Sequence, residues 1–170
     1  MLTQQLISWQ PLYLSFSAAS ATLAGLLFVA LSMHLRALQE AGAANVRHLA
    51  QHTFQDFVRC LVISLFLLMP KPDPFSLGVV LLVVGAYGAL QIGWTLIRTA
   101  RGGAATLHRR YVMKRLFLSV VADGFFVVAG LPLMLGVNAG DTGMEIFGGL
   151  MMLLISSTRN SWFILVHELG

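Results

Sequence analysis

The chain has 170 residues, of which 57% are apolar and 11% carry a formal charge, and its mean hydropathy is +0.79. Soluble domains hold about 45–50% apolar and about 25% charged residues, so this composition excludes a sizeable extramembrane catalytic module and describes an integral membrane protein. A single cysteine, Cys60, excludes an internal disulfide, and the net charge of +4 sits beside apolar runs rather than on a soluble basic face, which argues against nucleic acid as a partner.

A crossing needs about 20 helical residues, and at roughly 34 residues per crossing and loop the chain has room for five. The expected architecture is all-α, a polytopic helix bundle in one transmembrane domain over residues 1–170. The first span, about 12–36, follows ten residues without a charge and lacks the basic n-region of a secretory signal, so it reads as a retained helix. The second, about 48–70, is closed by the proline-rich turn Lys71-Pro72-Asp73-Pro74. The third covers about 75–98 and is followed by a glycine- and arginine-containing loop. The fourth covers about 112–137, with Gly130, Pro132 and Gly136 expected to loosen its far end. After the turn Asn138-Ala139-Gly140-Asp141 the fifth covers about 143–166.

Cytoplasmic loops are enriched in Lys and Arg near helix ends. Arg36, Arg47, Arg98, Arg101, Arg109, Arg110, Lys114 and Arg115 fall on one side and only Lys71 on the other. The N-terminus is therefore expected outside and the C-terminus inside, in the inner (cytoplasmic) membrane. Trp9 then belongs to the outer interface, and Trp94 and Trp162 to the inner one. The basic run Arg98, Arg101, Arg109, Arg110, Lys114, Arg115 fixes topology and offers a docking surface for anionic lipids or a partner.

Asp56, Arg59, Asp123 and Arg159 fall inside spans. Each costs at least about 2.5–3.5 kcal/mol at membrane depth, so such groups turn to the bundle interior and pair. At 1.5 Å per residue, Arg59 lies roughly 16 Å from Pro70 and Asp123 roughly 12 Å from Arg115. Arg159 and Gln91 fall nearer the inner boundary. His48, His52, Asp56 and Arg59 recur on one helical face. A neutral set of two carboxylates and two guanidiniums is expected, with Arg59 facing Asp123. The full expected network is His52, Asp56, Arg59, Gln91, Asp123, Arg159 and Asn160. Such a layer either cements the bundle or relays ions or protons, and both need the same contacts.

The His48/His52 spacing suits two metal ligands, but no H-E-x-x-H motif accompanies it, and no metal or cofactor is expected. No Ser-His arrangement or metal cluster suggests an enzyme. Ser17, Ala21 and Gly25 form a small-residue strip on the first helix, and Gly85 and Gly88 offer close approach on the third, within the chain or at a homo-oligomer seam.

The stretch Ala21-Thr22-Leu23-Ala24-Gly25-Leu26-Leu27-Phe28-Val29-Ala30-Leu31-Ser32, with Thr158-Arg159-Asn160-Ser161-Trp162, resembles small polytopic integral membrane proteins of bacteria. The resemblance implies that Arg159, Asn160 and Trp162 belong to a signature, and it implies no reaction, ligand or cofactor. The two functional expectations are an oligomeric, channel-like ion or proton pathway, and a non-catalytic accessory or scaffold subunit of a larger membrane complex.

Overall fold

A computed structural model of the chain describes residues 8–34, 44–70, 73–101, 106–137 and 142–168. The described residues form five α-helices and no strand: α1 (Gln10–Met33), α2 (Ala44–Leu67), α3 (Pro74–Arg101), α4 (Thr106–Leu135) and α5 (Thr142–Phe163), which continues as a π-helical turn over Ile164–Glu168. Four helices, α1, α3, α4 and α5, are long and apolar enough to cross a bilayer. α2 is not among them, because Arg47, His48, His52, Asp56 and Arg59 lower its hydropathy.

The helix ends follow from local chemistry. Pro11 sits in the first turn of α1, where a missing N–H costs nothing. Asp73 caps α3 by accepting the Ser76 backbone N–H and hydroxyl, each at 3.1 Å, with Pro74 as the first helical residue. α4 runs through Pro132 to Leu135 and closes in a Schellman motif: Gly136 at φ +67° donates to the Leu133 carbonyl, and Val137 donates to that of Pro132. The glycine- and arginine-containing loop expected between the third and fourth spans is largely helical, since α3 reaches Arg101 and α4 begins at Thr106.

The exposed side chains include the large apolar Leu26, Phe28, Met33, Val83, Leu90 and Phe117, while three charged groups in the middle of their helices, Asp56, Arg59 and Asp123, lie inside. A bilayer demands this distribution, and water does not. Exposed hydroxyls on α1 are satisfied within the helix: Ser15, Thr22 and Ser32 donate to the carbonyls four residues back at 2.8–2.9 Å.

α3 packs along α4, α4 along α5 and α5 along α2, with a lighter contact returning from α2 to α3. These four surround a common interior, and α1 packs mainly against α2, with a lighter contact to α5, and adds Tyr13 and Phe16 to the core. Glycines set the tightest approach. A Cβ on Gly78 would lie 2.8 Å from the Gly130 carbonyl oxygen, and one on Gly130 would lie 3.0 Å from that of Gly78. Gly130 is thus a packing position, not the loosening expected of it. Trp9 and Phe16 meet Phe147 in tilted and edge-on contacts at centroid separations of 5.6 and 5.9 Å, joining the beginnings of α1 and α5.

The small-residue strip divides. Ser17 is buried, but Ala21 and Gly25 face outward, and a Cβ on Gly25 would meet nothing within 4 Å. The inward face of α1 is instead Tyr13, Phe16, Ser17, Ser20 and Leu27.

Candidate functional site

Three formal charges are buried among the described residues: Asp56 at 0% exposure, Arg59 at 6% and Asp123 at 2%. Asp56 and Arg59 lie three residues apart on α2, on the face turned into the four-helix interior, and their side chains are ion-paired. Asp123 comes from the middle of α4. Arg59 Nη1 donates to Asp123 Oδ1 at 2.8 Å. The guanidinium therefore bridges two carboxylates, one from its own helix and one from across the bundle, a role suited to its planar fork of donors.

Ser119, one turn before Asp123, donates to Asp56 Oδ2 at 3.0 Å and lies 3.0 Å from the Ser156 hydroxyl on α5. His52, one turn before Asp56, places Nδ1 3.4 Å from Asp56 Oδ2. α3 supplies no side chain but does supply the space. A Cβ on Gly88 would fall on the Arg59 guanidinium and on both carboxylate oxygens of Asp123. At Gly85 the corresponding contact is 3.1 Å, to the Asp123 carbonyl. α2 and α4 do not pack closely by backbone, and the hydrogen bonds of this cluster bridge the distance between them.

Of the expected network, the structure brings together His52, Asp56, Arg59 and Asp123. Gln91 belongs to a separate polar group, donating to Gln55 Oε1 at 2.6 Å and to the Tyr87 hydroxyl at 3.0 Å. Asn160 is fully buried, and neither atom of its amide has a hydrogen-bond partner among the described residues. Arg159 corrects the expected set of two guanidiniums, because its side chain lies on the exposed face of α5. Near a helix end a long cationic side chain reaches a polar interface at little cost, so burial is not forced on it. His48 is likewise exposed, and no group of three or more metal-ligating side chains occurs among the described residues. The side chains of Arg98, Arg101, Arg109, Arg110, Lys114 and Arg115 lie outside the described residues, although α3 and α4 carry their backbone.

Sequence reasoning missed Ser119, Ser156 and the position of Gly88 over the ion pair. Ser119 precedes the ionisable Asp123 by four residues and Ser156 precedes the amide of Asn160 by four, so helical spacing from buried polar residues was the available signal.

As fixed charges, two carboxylates and one guanidinium sum to −1, and among the described residues the His52 imidazole is the further ionisable side chain within 4 Å of one of them. A buried ion pair left with excess charge is strongly destabilised, whereas a neutral, hydrogen-bonded one is tolerated. The site thus holds one permanent cation, two acids and one imidazole, with the Ser119 and Ser156 hydroxyls in series on Asp56. Comparison with family models, with curated proteins and with solved structures finds no match to this chain.

Proposed function

We propose that the chain is a multi-pass protein of a bacterial inner membrane whose His52–Asp56–Arg59–Asp123 cluster forms the central element of a proton pathway. In this reading all five helices cross the bilayer, with the N-terminus outside and the C-terminus in the cytoplasm. The one-sided distribution of Lys and Arg supports that orientation. α2 becomes the fourth neighbour in a ring of membrane helices, and its charges are tolerated because they face protein rather than acyl chains.

The observation that carries the proposal is the enclosure, in one connected unit, of two carboxylates, a guanidinium and an imidazole. Enclosure also selects the species. A hydrated ion needs room and coordinating oxygens, while a proton needs only closely spaced polar groups; Asp56, Ser119 and Ser156 are hydrogen-bonded in series, and the His52 ring approaches Asp56 at 3.4 Å. Reconstituted into proteoliposomes under an imposed pH gradient, the protein is expected to carry protons. Asp123→Asn is expected to lower that flux about a hundredfold while the protein stays folded. Flux no greater than in empty liposomes contradicts the proposal.

A second reading, an accessory subunit in which the cluster is structural glue, is favoured by one fact: its hydrogen bonds tie α2, α4 and α5 together. It predicts stable co-purification with other membrane chains in mild detergent and no flux by the isolated protein.

A further inference from the structure

The last two turns of α1 and the first three of α2 form a groove of about 330 Å³. Phe28 and Leu31 of α1 line one side, and Arg47, Ala50, Gln51 and Phe54 of α2 line the other. None of these residues belongs to the buried charge cluster. The four from α2 recur at i, i+3, i+4 and i+7, so they share one face of that helix. Arg47, in the first turn, and Gln51, one turn further on, are exposed, whereas Phe54 is half-buried and Ala50 is buried. Arg47 has no hydrogen-bond or ion-pair partner among the described residues, and the first turn of α2 holds no acidic side chain to balance it.

We infer that this groove binds one anionic phospholipid, with its phosphate on Arg47 and an acyl chain against Phe28, Leu31 and Phe54. The order of polarity along the groove selects the occupant. Arg47 and Phe54 stand roughly 10 Å apart along the helix axis, at 1.5 Å per residue. Over that distance the lining passes from a guanidinium, through the Gln51 carboxamide, to aromatic and aliphatic carbon. A phospholipid presents phosphate, glycerol ester and hydrocarbon in the same order, with its chain parallel to the helices. A soluble phosphate matches only the first of these features, and a neutral lipid lacks the counter-charge for Arg47. The guanidinium suits a phosphodiester because it stays charged and its N–H groups can reach two oxygens at once.

The position agrees with the membrane geometry. Four helices, α1 among them, are long and apolar enough to cross a bilayer, and Phe28 is 62% exposed on the outer face of α1. In the orientation proposed above, Arg47 lies at the cytoplasmic boundary, where anionic headgroups attract basic side chains. The inference asks only that α1 and α2 lie side by side in the bilayer with Arg47 at its edge. It stands whether or not the buried cluster moves protons.

The test is native mass spectrometry of the full chain purified in mild detergent and titrated with phosphatidylglycerol or phosphatidylcholine. The parent is expected to retain one phosphatidylglycerol per chain, about tenfold more tightly than phosphatidylcholine. Arg47→Gln is expected to weaken phosphatidylglycerol about tenfold and leave phosphatidylcholine unchanged, erasing the preference. Gln51→Trp, which fills the groove from an exposed position, is expected to remove both lipids. Equal retention of phosphatidylglycerol by the parent and Arg47→Gln, or no preference between the lipids in the parent, overturns the site. Displacement of the lipid by glycerol phosphate at equal concentration would show a soluble-anion site instead. A lipid-free dimer of the parent that Gln51→Trp disperses would show that a second copy occupies the groove, and it equally overturns the inference.

Discussion

Arg59 on α2 and Asp123 on α4, sixty-four positions apart in the chain, meet through a 2.8 Å hydrogen bond in the interior of the bundle. Their helices have little backbone contact, so the pair and the Ser119–Asp56 bond beside it span a gap that α3 and α5 frame. The consequences can be measured in stability as well as in proton movement.

The space above the pair is set by glycine. Gly88→Ala is expected to destabilise the protein by about 1–3 kcal/mol, the usual cost of overpacking a close contact, because its Cβ lands on the ion pair. Gly85→Ala meets its neighbour at 3.1 Å and should cost less, and Gly25→Ala meets nothing and should be neutral. Thermal unfolding of the three variants in one detergent checks the order, and equal effects at positions 25 and 88 contradict it.

Ser119 gives one hydroxyl to two partners. Ser119→Ala leaves the buried Asp56 Oδ2 without that donor and is expected to cost about 1–3 kcal/mol. Ser156→Ala should cost less, since Ser156 touches Asp56 only through Ser119. Combining the two should cost less than the sum, as expected of neighbours in one network. Chemical denaturation of the single and double variants reads this directly.

Arg159 tests the boundary of the cluster. Its side chain is exposed, so Arg159→Gln is expected to change stability by no more than about 0.5 kcal/mol, whereas Arg59→Gln leaves two carboxylates facing each other and should be far more damaging. A comparable loss in both variants, measured by unfolding in detergent, would return Arg159 to the buried set.

What the sequence made legible follows from how strongly each residue is constrained. Asp56, Arg59 and Asp123 sit deep in apolar runs, where a charge has nowhere to go but inward, and simple depth arithmetic brings them to a common level. Arg159 obeys the same arithmetic less tightly, because it sits near a helix end from which it can reach a polar boundary. The serines carried no such constraint. Ser64 and Ser157 bond to carbonyls four residues back in their own helices, and only its place one turn before Asp123 separates Ser119, which bonds across the bundle, from them in the sequence. The glycines show the same limit: spacing names a small-residue face but not its neighbour, so Gly25 and Gly88 look alike until the helices are placed. α2 was legible as a helix, although its polar face keeps it below the hydropathy of the other four.

The most direct test of the account is a double-mutant cycle on Arg59→Gln and Asp123→Asn, read from unfolding free energies of the purified protein. If the two side chains meet inside the bundle, the losses are non-additive by about 0.6–1.7 kcal/mol, the range found for polar contacts between membrane helices. Losses that add to within about 0.3 kcal/mol would show two independent residues and contradict the cluster on which the proposed function stands.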